Sequence, residues 1–129
     1  MGRQARIATA KGKFEQTIEI GPHRLVGDEP VEAGGGDAGP SPHEFLLAAL
    51  GTCTSMTVKM YADRKGWPLR AVEVRLTQEK QDGVHVMHRT MQLDGDLDAE
   101  QRARLIEIAQ KCPVHKTLTG EIRIETALA

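Results

Sequence analysis

The chain has 129 residues, a length that suits one domain, and a net charge of −1. Lys and Arg are scattered and there are only four aromatics (Phe14, Phe45, Tyr61 and Trp67), which leaves no basic surface or stacking platform for nucleic acid and nothing to attract an anionic membrane. The opening "MGRQARIATA" lacks an apolar signal core, and no apolar stretch reaches the ~20 residues of a membrane span, so a cytoplasmic location without membrane partners is expected.

The N-terminal third reads as short strands. "ARIATA" and "FEQTIEI" flank the turn signal Lys11-Gly12-Lys13, and Gly21-Pro22 leads into "HRLVGD". The stretch "EPVEAGGGDAGPSP", with its run of glycines and its prolines, predicts a loop without regular structure, long enough to suggest a functional role. A long helix follows. Ser41 is placed to cap it, Pro42 sits at its first position and Glu44 completes an S-x-x-E capping box. The helix is expected to run to Lys65, with Gly66 as its C-terminal cap and Pro68 just beyond, giving a length of about 37 Å. From Phe45 to Leu50 it is apolar on every side, and a helix of that kind must be covered on every side. A chain of this size has little material for the task, which favours a homodimer.

"AVEVRLTQ" alternates Val72, Val74 and Leu76 with polar residues, as a half-buried strand does. A turn over Lys80–Gly83 joins it to a second strand, "VHVMHRTMQL", whose imperfect alternation implies partial cover on both faces. "LDAEQRARLIEIAQKC" predicts a second helix capped by Asp98 and Gln101, ending at Cys112 before Pro113. "EIRIETA" closes the chain as a strand. The order β-β-β-α-β-β-α-β, with no βαβ repeat, predicts an α+β fold with a largely antiparallel sheet, forming a single domain over residues 1–129.

Both cysteines fall on apolar helix faces. Cys53 aligns with Leu46, Ala49, Leu50, Met56 and Met60, and Cys112 ends the stripe Leu105–Ala109 of the second helix. If those faces pack together, the sulfurs meet. In a reducing compartment a structural disulfide is disfavoured, which leaves three readings. The thiols are inert core filler, as most buried thiols are. Or Cys112-Pro-Val-His115 and Cys53 hold a metal, although C-x-x-C, H-x-E and H-E-x-x-H are all missing, and no metal is expected. Or the pair cycles between dithiol and disulfide.

"GPSPHEFLLAALGTCTSM" together with "CPVHKTL" resembles the OsmC/Ohr family of osmotically inducible and organic hydroperoxide resistance proteins, and within it the OsmC-like redox branch. The first segment matches a G-x-x-P, a Leu/Ala-rich run and a Cys; the second matches a Cys-Pro at the end of the second helix. The resemblance extends along nearly the whole chain. It implies an intertwined homodimer with active sites at the interface, a long central helix carrying Cys53 as the peroxidatic thiol, and Cys112 as the resolving thiol. It implies a thiol peroxidase for organic hydroperoxides that serves oxidative stress defence. No bound cofactor is implied, only an external dithiol reductant of the lipoyl type. Leu46, Leu50, Met56 and Met60 would then shape a pocket for the organic part of the substrate; ordinary core packing is the alternative for them.

A thiol in apolar surroundings resists ionisation, so a reactive one needs a cation or donor at hand. The resemblance assigns that role to an arginine from the N-terminal strands, held by a glutamate directly after the helix-starting proline. Here that position is His43, and Glu44 lies one residue later, where capping is its other role. Arg24 is the best arginine candidate, with a solvated strand position as the alternative. His43 would lie about 15 Å from Cys53 along one helix, so neither it nor Glu44 reaches that thiol within a chain, whereas across a pair of helices in a dimer the reach is feasible. His115 and Lys116, beside Cys112, are substitutes. The departure keeps a second function open: a dimeric small-ligand or partner-binding protein with little or no peroxidase activity.

Overall fold

The computed structural model describes residues 2–129, which form two compact units meeting at Leu46/Leu47. The first unit is built on an antiparallel meander of β1 (Ala5–Thr9), β2 (Gln16–Ile20) and β3 (His23–Gly27). β2 lies in the middle, with Ile18 opposite both Ile7 and Leu25. The long loop after β3 contains one 3-10 turn, Val31–Ala33, and is otherwise irregular. Its organiser is Asp28, which is buried. The Asp28 carboxylate accepts the backbone N–H groups of Glu29 (2.7 Å), Ala38 (3.0 Å) and Gly36 (3.2 Å). Those donors, Ala38 first, outweigh burial and hold the Asp28 carboxyl below the usual carboxylate range.

α1 (Pro42–Lys65) begins as its sequence predicts. The Ser41 N–H donates to the Glu44 carboxylate at 2.8 Å, and the Glu44 N–H donates to Ser41 Oγ at 3.4 Å. It ends in a Schellman motif, with the Trp67 N–H on the Ala62 carbonyl (2.9 Å) and the Gly66 N–H on that of Asp63 (3.1 Å). Gly66 has φ +70°, which only glycine adopts without strain. By length and composition α1 would also serve as a membrane span, contrary to the expectation from the sequence. Its packing in the second unit gives it a core role instead: Leu50, Thr54, Val58 and Ala62, spaced i, i+4, are buried.

The second unit sets the rest of α1 beside a long hairpin, β4 (Leu69–Gln81) and β5 (Val84–Gly95), and α2 (Ala99–Ala109). The hairpin turns on Asp82-Gly83, both at positive φ (51° and 79°), the geometry a two-residue turn needs to follow the strand twist. Val58 and Ala62 of α1, Leu105 and Ala109 of α2, Leu69 and Leu97 form the buried core, with Val72, Met91 and Leu93 packed against it. Gly51 faces β4, and a Cβ there would stand 2.9 Å from Leu76 Cδ1, so that side chain would have to turn aside.

Two expectations need correction. α2 does not reach Cys112. It starts on the predicted capping box, Asp98 with Gln101, and stops at Ala109. Pro113 forces the preceding residue out of the helical region, and Cys112 is extended (φ −65°, ψ 145°). The same proline starts a third helix, α3 (Pro113–Thr119), which Cys112 caps. The expected strand over residues 121–127 does not form either. The alternation is present, with Ile122 and Ile124 exposed, but a strand needs a neighbour and this segment has none among the described residues.

Leu105 is wholly buried at the centre of this core. Its replacement by Ala should cost about 3 kcal/mol in urea unfolding, the sum of lost transfer energy and an unfilled cavity.

Candidate functional site

The two cysteines lie in the second unit, both as free thiols. Cys53, half-buried on α1, has its Sγ 4.0 Å from Thr57 Oγ1, one turn further on. Cys112 is wholly buried. The Cys112 sulfur accepts the His115 N–H at 3.3 Å and lies 3.8 Å from Thr54 Oγ1. The resolving thiol of the sequence reading therefore rests on the residue next to Cys53.

Thr54 ties the sulfur to a wider polar network. Its hydroxyl donates to the Leu50 carbonyl at 2.6 Å and accepts from Arg89 Nη1 at 2.9 Å. Arg89 Nη2 stands 3.1 Å from His115 Nδ1. A guanidinium only donates, so Nδ1 accepts and the imidazole is neutral, with its proton on Nε2. Burial first, and then the charge of Arg89, hold His115 below the ordinary histidine value. The network joins three elements: α1 through Thr54, β5 through Arg89 and α3 through His115 and Cys112.

The other predicted residues are placed as follows. Glu44 caps α1, and the Ser41 N–H, followed by the Ser41 side chain, holds its carboxyl below the usual range. His43 is exposed in the first turn of α1. Arg24 is exposed on β3, opposite Glu19 of β2. Leu50 belongs to the buried stripe of α1, while Leu46, Met56 and Met60 are exposed. Met56 alone of the four lines the groove of about 650 Å³ between α1 and β4, with Thr52, Val72, Val74 and Leu76. The stripe aligned with Cys53 is thus mostly open, because the buried one runs through Thr54, a step round the helix. Lys116 is exposed on α3. Among the described residues no three His, Cys, Asp or Glu side chains gather as a metal-ligand set.

Two residues of the network escaped the sequence reading, though each left a signal. Thr54 falls at i+4 from Leu50 and i−4 from Val58, a polar residue in an apolar stripe. Arg89 falls in the i+2 row of Met91 and Leu93, a charge on the half-buried face of β5.

A family model for OsmC-like proteins matches residues 34–127. The chain belongs to the OsmC-like family. Among solved structures, an OsmC-like protein from Mycoplasma pneumoniae is similar at 18% identity with a TM-score of 0.74, over 93% of this chain and 90% of that one. The organic hydroperoxide resistance protein OsmC from Legionella pneumophila, also described as a predicted redox protein, is similar at 16% identity with a TM-score of 0.70, again over 93% and 90%. An organic hydroperoxide resistance protein from Elizabethkingia anophelis, with thiocyanate bound, is 16% identical with a TM-score of 0.68, over 93% and 89%. At these identities the likeness establishes the OsmC-like α+β fold. Among curated proteins none matches.

The neutral His115 makes the site acid-sensitive. Below the ordinary histidine value of 6.5 the unfolded chain takes up a proton that folded His115 resists, so stability is full above that value and falls as pH drops through it. Urea midpoints measured at about pH 7.5 and about pH 5.5 should fall further for the wild type than for His115→Gln, which keeps an acceptor for Arg89 but does not titrate.

Proposed function

We propose that this OsmC-like protein reduces organic hydroperoxides through Cys53 and Cys112, as part of oxidative stress defence. The observation that carries the reading is the seat of Cys112: its sulfur is held against Thr54, beside Cys53. Family membership and the structural likeness to two organic hydroperoxide resistance proteins support it.

Exposure divides the roles. Cys53 is the more accessible thiol and meets the peroxide, while Cys112 is buried and resolves. The Cys53 thiolate attacks the O–O bond; one oxygen stays on sulfur as sulfenic acid, and the alkoxide leaves and takes a proton to become the alcohol. Cys112 then displaces the sulfenic hydroxyl, which departs as water, and a disulfide remains. An external dithiol, of the lipoyl type expected from the family resemblance, restores both thiols by two exchange steps and is itself oxidised. Glu44 is engaged in capping α1, and Arg89 supplies the positive charge on the Cys112 side of the pair.

We also propose that the working unit is a homodimer. Leu46, Met56 and Met60 on α1, and Ile122 and Ile124 beyond α3, are exposed apolar groups that a second copy would cover. Sedimentation equilibrium should give twice the mass of one chain, and a monomer at micromolar concentration would count against this assembly.

Mass spectrometry after one equivalent of cumene hydroperoxide should show the loss of two hydrogens, and Cys53→Ser should abolish peroxide consumption with a dithiol reductant. A dithiol unchanged by the peroxide would rule the reading out. The second reading, a dimer that binds a small apolar ligand and keeps idle thiols, is favoured by one observation, the commitment of Glu44 to the helix cap. Native mass spectrometry that finds a retained ligand, together with inert thiols, would establish it.

A further inference from the structure

Thr54 lies in a stripe where an aliphatic residue would pack equally well, and its hydroxyl is surrounded. Leu50 O lies at 2.6 Å, Arg89 Nη1 at 2.9 Å and Cys112 Sγ at 3.8 Å. A hydroxyl has one hydrogen and two lone pairs, and the three neighbours divide them without ambiguity. Arg89 can only donate, so it takes one lone pair. Leu50 O can only accept, so at 2.6 Å it takes the hydrogen. The remaining lone pair faces Cys112, whose thiol is then the donor, while the sulfur itself accepts from the His115 N–H. The protonated thiol is fully satisfied in this arrangement.

Loss of that proton rearranges the bonds of one hydroxyl. A sulfur anion cannot donate, and it would face a lone pair of Thr54. Rotation about Cβ–Oγ1 alone moves the hydroxyl hydrogen from Leu50 O to the sulfur. Leu50 O keeps its helical bond, and Arg89 keeps its hydrogen bond to Oγ1, so its positive charge stays 2.9 Å from the hydroxyl oxygen. The anion then accepts from both Thr54 and His115 N–H. The groups facing Cys112 are Thr54 from α1 and His115 from α3; Arg89 from β5, joined to both, brings the one charge in the network.

We propose that Thr54 is the positioning residue for disulfide closure: its hydroxyl follows the protonation state of Cys112 and holds that sulfur, as a nucleophile, beside Cys53. The inference rests on the peroxidase reading for its physiological step. Cys53 sulfenic acid and the Cys112 thiol give a disulfide and water: the new S–S bond replaces the S–O bond, and the Cys112 proton leaves with the departing hydroxyl. Arg89 acts through Thr54 and touches neither reacting sulfur in the hydrogen-bonded network.

The test compares wild type, Thr54→Val and Thr54→Ser. Valine keeps the shape and removes the hydroxyl; serine keeps the hydroxyl. Reduced protein is mixed with one equivalent of cumene hydroperoxide in the presence of dimedone, and mass spectrometry follows the trapped Cys53 sulfenic acid and the disulfide. Thr54→Val should close the disulfide at least about tenfold more slowly, the rate equivalent of one hydrogen bond to a charged group. Its trapped sulfenic acid should rise accordingly. Thr54→Ser should restore closure. A Thr54→Val protein that closes as fast as wild type overturns the proposal, and so does a slow Thr54→Ser protein. A parallel arm activates Cys53 with diamide, which needs the same attack by Cys112 but no peroxide. Wild type that reacts with diamide and not with the hydroperoxide defeats the peroxidase reading, and the diamide rates still decide the role of Thr54. Thermal melts by circular dichroism establish that each variant is folded.

Discussion

The packing of α1 through Leu50, Thr54, Val58 and Ala62 in the core of the second unit is the constraint from which the site follows. A stripe spaced by four residues buries whatever occupies it, and here one occupant is polar. A buried hydroxyl without partners is costly, so the fold has to bring donors and acceptors to it. Arg89 arrives from β5, the Leu50 carbonyl from the preceding turn of α1 and the Cys112 sulfur from the cap of α3. Satisfying one threonine thereby fixes where the hairpin and the last helix converge, and it seats the buried thiol next to the residue that follows Cys53.

Charge in this neighbourhood comes from an arginine whose second arm is held by a neutral imidazole. His115 accepts where a carboxylate would ordinarily accept, so Arg89 keeps its positive charge uncompensated by an anion in the network. An ion pair at the same place would cancel much of the field that a sulfur anion benefits from. The position where the family resemblance places a carboxylate is His43, and the neighbouring Glu44 is spent on a helix cap at Ser41, where it accepts a backbone N–H at 2.8 Å.

Much of this was legible in the sequence because it is written in local chemistry. Ser41-Pro42-His43-Glu44 and Asp98 with Gln101 specify their caps within four residues, Gly66 specifies a stop, and the alternation through Val72, Val74 and Leu76 specifies a half-buried strand. What was not legible depends on partners distant in the chain. Thr54 and Arg89 are 35 residues apart, and nothing near either one tells where its hydrogen bond goes. The end of α2 is hidden for a local reason: a proline that ends one helix is equally suited to begin the next, and Cys112 lies between them. The segment 121–127 has the pattern of a strand but no neighbour to pair with, and pattern alone does not supply one.

Asp28 gives the first unit a device of its own. A loop containing Gly34, Gly35 and Gly36 gains more conformational entropy on release than most, and beside its backbone bonds it is fastened by a carboxylate that reaches Gly36 and Ala38, eight and ten residues along. The bonds are strongest while that oxygen pair is anionic, because a protonated carboxyl gives up part of its accepting capacity. In strong acid the fastening is loosened at one point, and the loop is left to its backbone bonds, Asp28 N–H to Pro40 O and Asp37 N–H to Glu29 O, as the part of the unit that opens most readily while the three-stranded meander stays paired.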